Sequence, residues 1–318
     1  MSVFTSVSDA ELSAWLSRYR IGTLVEYAGI AAGIENTNYF LTTSGGRYVL
    51  TLFERLTREA LGYYLHLMAH LAHCGIPCPA PIADGDDELL GTLNGRPAAI
   101  VTRLGGHSIA APTAAHCASL GATLAAMHVA GQSYEQHLDN PRGARWWRAT
   151  APLLMPRLTP DDQALLQEEL RFQALYRLED APHGVVHGDL FRDNVLFDGD
   201  AADLRISGVL DFYFAGSDAL LFDLAVAAND WCADAAGDLD TARTQALLGA
   251  YHALRPLTAL ERGAWPVMLR RAALRFWLSR LQDYHLRRSG ELTYVKDPGE
   301  FRDVLQQRIR CGSNVPWI

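Results

Sequence analysis

Hydrophobic periodicity changes once along this chain, at Gly105-Gly106, and that change constrains the fold more than any other feature. Before it, apolar residues recur in short β-like runs: Gly22–Ile30, Thr37–Thr43 and Arg47–Phe53, the last two joined by a compact Ser44-Gly45-Gly46 turn. Ser8 and Glu11 have capping-box spacing, opening a helix with Leu12, Trp15, Leu16 and Tyr19 on one face. One long helix is expected from Leu56 to His73, stopped by Gly75 and Pro77. Two further extended runs, Pro79–Ala83 and Pro97–Leu104, flank the turn-rich Asp84-Gly85-Asp86-Asp87. After the glycine pair, helical spacing dominates through Thr113–Ala130, Pro160–Leu178, Ala219–Ala235, Leu239–Leu254, Ala259–Leu286 (broken or kinked at Pro266) and Phe301–Arg310. The Arg- and Trp-rich stretch Asp139–Thr150 reads as an ordered loop over the cleft. The expectation is an α+β protein of two lobes, 1–104 and 105–318.

Composition narrows the partners. A formal charge of −8 disfavours a nucleic-acid partner, and no 18-residue uncharged apolar run suggests a membrane span. The N-terminus lacks a basic stretch followed by an apolar core, so the cytoplasm is the expected compartment. Cys74, Cys78, Cys117, Cys232 and Cys311 are odd in number and lack a second pair at zinc-ligand spacing, which favours free thiols. Lys296 is the only lysine among 28 Lys and Arg residues.

Chemistry concentrates in His187-Gly188-Asp189-Leu190-Phe191-Arg192-Asp193-Asn194, followed by Val209-Leu210-Asp211. An aspartate in a turn, an asparagine five residues on and an aspartate after a later strand can converge on one point. Turn chemistry alone would account for Gly, Asp and Asn, but not for their fixed spacing among Val185-Val186, Val195-Leu196-Phe197 and Val209-Leu210. Phosphoryl transfer needs such a set: one carboxylate to orient a hydroxyl and accept its proton, with a second carboxylate and an amide oxygen to hold magnesium on the phosphates. Asp189 takes the first role, Asn194 and Asp211 the second.

These residues resemble the aminoglycoside phosphotransferase and choline kinase superfamily, whose catalytic loop is His-Gly-Asp, four residues, then Asn. The resemblance implies a protein-kinase-like two-lobed fold, with a five-stranded N-lobe and a helical C-lobe, and ATP and Mg2+ as cofactors. It also implies that Thr102 and Leu104 grip adenine in a hinge. The Gly29–Phe40 loop, with Gly29, Gly33, Asn36 and Asn38, would then cover the phosphates. Kinases of this fold carry a lysine on the third strand; here the slot in Tyr48–Glu54 holds Thr51, and Lys296 lies too far along the chain to fill it. Arg55 or Arg58 reaching in, or magnesium and backbone amides, are the available substitutes, and Glu59 stands where the lysine's partner would be. Without any substitute the chain would be a nucleotide-binding pseudokinase.

Further strings are similar to the bacterial homoserine kinases of this superfamily: Gly33–Leu41, Tyr48–Glu54, His187–Phe197, Ala228–Cys232 and Leu274–Leu281. That similarity implies L-homoserine as acceptor in threonine biosynthesis, with choline, ethanolamine, hydroxylysine or an aminoglycoside as alternatives. A zwitterionic amino alcohol needs a carboxylate for its ammonium and an arginine fork for its carboxylate. Arg192, Asp230, Trp231, Arg275 and Arg280 are the acceptor-site candidates, with one of the two α-helical arginines facing the site and the other elsewhere. Asp223 is expected to anchor its own helix.

Overall fold

The computed structural model describes residues 5–30, 36–176, 178–200, 203–234, 236–286 and 296–318. The chain separates into two compact units, one ending at Gly106 and the other beginning at His107.

The first unit is an antiparallel five-stranded sheet with two helices. Helix α1 (Asp9–Leu16) starts on the Ser8–Glu11 capping box. Strands β1 (Leu24–Gly29), β2 (Thr37–Thr43) and β3 (Gly46–Leu52) follow, with helix α2 (Arg58–His73), β4 (Gly91–Leu93) and β5 (Arg96–Thr102) completing the unit in sheet order β1-β2-β3-β5-β4. Alternation sets the register: Tyr39 and Leu41 on β2, Leu50 and Leu52 on β3, and Ala98 and Ile100 on β5 bury one face against Leu12, Trp15 and Leu16 of α1. Each such aliphatic side chain contributes about 1.5–3 kcal/mol, enough to dock an eight-residue helix that would not persist alone. The expected strand at Pro79–Ala83 is not one; it makes a single bridge, Pro81 to Val101, because Pro79 and Pro81 have no N–H for a ladder. The fifth strand is instead Gly91–Leu93, paired with β5.

In the second unit, α3 (Ala114–Gly131), α4 (Ala144–Leu154), α5 (Pro160–Leu175), β6 (His183–Val186), β7 (Val195–Asp198), β8 (Arg205–Val209), β9 (Gly216–Ala219) and α6 (Leu221–Ala227) precede a π-helical turn at Ala228–Cys232. Helices α7 (Thr241–Leu254), α8 (Ala259–His285) and α9 (Pro298–Cys311) finish the chain. Two small hairpin-like sheets, β6 with β9 and β7 with β8, carry the polar loops. Helix α4 corrects the expectation of a loop at Asp139–Thr150: Trp147, Thr150, Ala151 and Leu154 are buried at i, i+3, i+4 and i+7, an amphipathic stripe hidden within an Arg-rich composition. Helix α8 is continuous through Pro266 rather than broken there; tertiary burial of Trp265, Val267, Met268 and Leu269 outweighs the one missing N–H. Among the described residues no helix is long and apolar enough to cross a membrane.

Helices α3 and α7 meet at Gly121, where a Cβ would overlap the Leu247 carbonyl. Gly121→Ala is therefore expected to cost about 1–3 kcal/mol. Gly62→Ala on α2, with open space around it, is expected to gain about 0.5–1 kcal/mol. Urea denaturation midpoints of the two variants should move in opposite directions; a neutral Gly121→Ala would contradict the close α3–α7 packing.

Candidate active site

Strand β6 delivers the chain into the His187–Asn194 loop, and one buried carboxylate catches it there. Asp223, on α6 and fully buried, accepts from the backbone N–H of His187 at 2.6 Å and of Gly188 at 2.8 Å, and from His128 Nε2 at 3.1 Å. The expectation that Asp223 anchors its own helix is corrected here. It anchors the loop instead, a long-range contact that local spacing does not encode. Gly188 turns with φ of +78°, and a Cβ there would sit 2.7 Å from the Phe214 carbonyl oxygen, so only glycine fits.

His187 is a structural pin. Its Nδ1 accepts from the Asp189 N–H at 3.2 Å, so Nε2 carries the proton it donates to the Leu210 carbonyl at 2.8 Å. Burial holds its pKa below the usual histidine range, keeping the ring neutral as that tautomer requires. Leu210 N–H in turn donates to the Asn194 carbonyl at 2.8 Å. Both backbone groups of Leu210 are thus tied to the loop, which sets the next residue, Asp211, beside it in the left-handed conformation (φ 62°, ψ 64°). Hydrogen bonds join Asn194 to Asp189, and this backbone lock sets the Asp211 main chain next to the same loop.

Asn194 Nδ2 donates to the Asp189 carbonyl at 2.8 Å and to Asp189 Oδ2 at 3.1 Å, so both amide protons are engaged and the amide Oδ1 is the acceptor of this side chain. Arg275 Nη2 lies 3.5 Å from Asp189 Oδ1. This arginine is only 3% exposed and stacks over Phe276 at 3.7 Å from the ring centroid. Of the two candidate arginines on α8, Arg275 thus reaches the loop; Arg280 does not, pairing with Glu300 and donating to the Asp297 carbonyl at 3.0 Å.

Arg192 and Asp230 engage each other rather than standing open. Arg192 donates through its backbone N–H (2.8 Å), Nε (3.1 Å) and Nη2 (3.2 Å) to the Asp230 carboxylate, and through Nη1 to the Ala110 carbonyl at 2.7 Å. Burial pushes the Asp230 pKa up, opposed by those Arg192 hydrogen bonds. Trp231 is fully buried, with its indole N–H on the Leu190 carbonyl at 3.1 Å, and supports the loop from behind. Lys296 caps Asp193 at 3.2 Å.

A buried polar chain stands behind Asp223. Arg255 pairs with Glu261 and its Nε donates to the Tyr251 hydroxyl at 2.5 Å. That hydroxyl meets His128 Nδ1 at 2.6 Å. Because the Asp223 carboxylate only accepts, His128 carries its proton on Nε2, and Tyr251 donates to Nδ1. The chain is unidirectional from cation to carboxylate, with each donor matched to one acceptor.

In the first unit, Thr51 stands directly opposite Asn38 across β2–β3, and its hydroxyl donates to Asn38 Oδ1 at 2.7 Å. Gly29 ends β1, Asn36 immediately precedes β2, and Gly33 lies outside the described residues. Thr102 ends β5 with its N–H donating to the Ala80 carbonyl at 2.9 Å; Leu104 follows two residues later. Arg58 is no substitute for the missing lysine, since its guanidinium is committed to the carbonyls of Leu90 and Gly91 and to Thr92 Oγ1. Glu59 is an exposed first-turn acid whose carboxyl is held below the usual range by backbone and Thr57 hydrogen bonds.

Residues 26–257 match the model of the phosphotransferase enzyme family, most of the chain. The protein belongs to the phosphotransferase enzyme family. Among its relatives, this phosphotransferase is 50% identical over 320 residues to a homoserine kinase of Methylobacillus flagellatus, covering 100% of this chain and 99% of the relative. It is 51% identical over 331 residues to a homoserine kinase of Cupriavidus necator, with 100% of both chains covered. Among solved structures, the microcompartment-associated aminopropanol kinase superposes with a TM-score of 0.68 at 17% identity, covering 96% of this chain and 98% of that one. The phosphotransferase is a kinase with the α+β, protein-kinase-like fold of these structures.

Asp223→Ala would strip the acceptor from three buried donors, each costing about 1–3 kcal/mol when unpaired, so a stability loss of about 3–5 kcal/mol is expected. Tyr251→Phe, which removes one hydroxyl from the chain, is expected to cost about 1 kcal/mol. Denaturation and amide exchange at His187–Asp189 would report both; unchanged exchange in Asp223→Ala would refute the anchoring role.

Proposed function

We propose that this kinase transfers the γ-phosphoryl group of ATP to the side-chain hydroxyl of L-homoserine, giving ADP and O-phospho-L-homoserine, a step of threonine biosynthesis. The observation that carries the acceptor is the identity of about half of all residues, over the full chain, with proteins named homoserine kinase. The Asp189, Asn194 and Asp211 constellation supports turnover rather than a binding-only module.

Asp189 acts as the base. Asn194 holds its Oδ2 and Arg275 stands beside its Oδ1, so the carboxylate is oriented before the acceptor arrives. The acceptor hydroxyl donates to Asp189, its oxygen attacks the γ-phosphorus, the bond to the β-bridging oxygen breaks and ADP leaves; the proton passes to Asp189. Arg275 is the cation for the acceptor carboxylate: it stands at the reacting carboxylate with a looser 3.5 Å approach to Asp189, whereas Arg280 is engaged by Glu300 and Arg192 by Asp230 through Nε and Nη2. Asp211 and the amide oxygen of Asn194 form a hard-oxygen donor set that fits Mg2+. The ion supplies charge neutralisation on the phosphates when bound. The first unit takes the nucleotide, with adenine on the backbone of Thr102 and Leu104 and the phosphates under the loop from Gly29 through Gly33 and Asn36 to Asn38. Where other kinases use lysine, Thr51 fixes the Asn38 carboxamide by its oxygen and turns the Nδ2 donor outward, a neutral replacement.

ADP release with MgATP is expected with L-homoserine and not with choline, ethanolamine, hydroxylysine or an aminoglycoside. Turnover on one of those alcohols instead would discard the acceptor and keep the mechanism. In Asp189→Asn, kcat should fall about 10²–10⁴-fold while ATP affinity changes by less than about threefold; a loss under about tenfold would refute the base. Asp211→Asn should raise the half-saturating magnesium concentration at least about tenfold, and unchanged magnesium dependence would remove it from the ligand set.

A further inference from the structure

An acceptor carboxylate needs a cation that a solute can reach, and Arg275 presents little of its guanidinium. The side chain is 3% exposed, with Nε and Nη2 closed off from solvent. From Asp189 outward, contacts lead to a second arginine. Phe214 packs against Gly188, the residue before Asp189, so tightly that its carbonyl oxygen would meet a Cβ there at 2.7 Å. The Phe214 ring carries two guanidiniums, Arg275 at 5.1 Å and Arg142 at 5.3 Å from its centroid. Arg142 and Phe214 are both half-buried, which leaves Arg142 more accessible to a solute than Arg275.

Arg142 is held in place from its backbone upward. Asn140 is fixed to β9, its N–H donating to the Ser217 carbonyl at 3.1 Å and its Nδ2 to Asp218 Oδ2 at 2.7 Å. Asn140 Oδ1 then accepts from the Arg142 N–H at 2.8 Å, and its carbonyl from the Gly143 N–H at 3.0 Å. The Trp147 indole donates to the Arg142 carbonyl at 2.7 Å, so both backbone groups of Arg142 are tied. Its guanidinium lies over the Trp146 ring at 4.6 Å, and Nη1 donates to Gln282 Oε1 at 3.2 Å. Gln282 stands about two turns beyond Arg275 on the same face of α8. A neutral amide positions the guanidinium without cancelling its charge.

We propose that Arg142 determines acceptor specificity: together with Arg275 it takes the α-carboxylate of an amino-acid alcohol whose hydroxyl lies at Asp189. Guanidinium and carboxylate match as planar, charge-assisted partners. An amino alcohol without the carboxylate brings only its ammonium to two guanidiniums and is repelled, so the pair selects by attraction and by repulsion. Arg142 has this role only with the amino-acid acceptor proposed above, and it supplies the reachable cation that this acceptor requires.

Steady-state kinetics on L-homoserine and on 3-aminopropan-1-ol, the same molecule without its carboxylate, test it. The wild type should prefer homoserine by at least about 100-fold in kcat/KM. Arg142→Gln should lose about 10–100-fold on homoserine, mainly through KM, while 3-aminopropan-1-ol turnover holds or improves. Arg142→Lys, which keeps the charge without the planar fork, should fall between the two. Equal use of both alcohols by the wild type, equal losses on both in Arg142→Gln, or an unchanged homoserine KM would overturn the assignment. Should Arg142→Gln fail to fold, Arg142→Lys should still lower the homoserine preference at least about fivefold, and an unchanged preference would refute the role. No homoserine turnover by the wild type would instead overturn the acceptor itself, and the role of Arg142 with it.

Discussion

Three buried donors converging on the Asp223 carboxylate are the interaction on which the active-site geometry depends. A loop of His, Gly and Asp has no intrinsic reason to hold one conformation, and two consecutive backbone N–H groups turned inward would be costly unpaired. Asp223 turns that cost into a constraint: the loop is stable only where both N–H groups reach the carboxylate, and there Asp189 meets Asn194 and Arg275. Because the carboxylate is fully buried, its charge must be met from behind. The chain from Glu261 through Arg255, Tyr251 and His128 meets it with one donor per acceptor. α3, α6, α7 and α8 are therefore tied to the loop by chemistry as well as by packing.

The second constraint is Leu210. An apolar residue with nothing reactive in its side chain places Asp211, because its N–H and carbonyl are claimed by Asn194 and His187. Asp211 holds this position with a left-handed backbone, uncommon for a non-glycine residue and frequent at functional sites. The arginines around the loop divide the electrostatic labour. Arg192 is taken up by Asp230 and braces the loop, and Arg280 is taken up by Glu300. Arg275, buried against Phe276, keeps a cation beside Asp189. In the first unit the position where a lysine was expected holds a hydroxyl–carboxamide pair, Thr51 and Asn38, joined by a hydrogen bond and carrying no charge.

Much of this was legible in the chain. Strands β2 and β3, helix α2 and the capping box at Ser8 follow from alternation, helical spacing and cap chemistry, all local signals. Asp189, Asn194 and Asp211 stand out because turn preference by itself does not set polar residues at fixed spacing between apolar runs. The misreadings share a cause. Pro79–Ala83 has an extended pattern, but which segment adds the fifth strand is settled by pairing with β5. The stretch at Asp139–Thr150 has the composition of a loop, while the stripe from Trp147 to Leu154 gains meaning only once its partner surface exists. Pro266 has the chemistry of a break, yet burial on both sides of it carries the helix through.

The sequence by itself determined the fold class and the phosphotransferase family and singled out the candidate reacting groups, because periodicity and motif spacing are properties of neighbours in the chain. Tertiary structure alone decided which charges are available. Asp223 is 35 residues from Gly188, Arg192 is 38 from Asp230, and Arg275 lies on a helix far downstream of Asp189. No local pattern distinguishes an arginine already paired with a carboxylate from one still able to receive a ligand. That depends on which distant side chain the fold brings within hydrogen-bonding reach, and on how little water remains to screen the charge if none arrives.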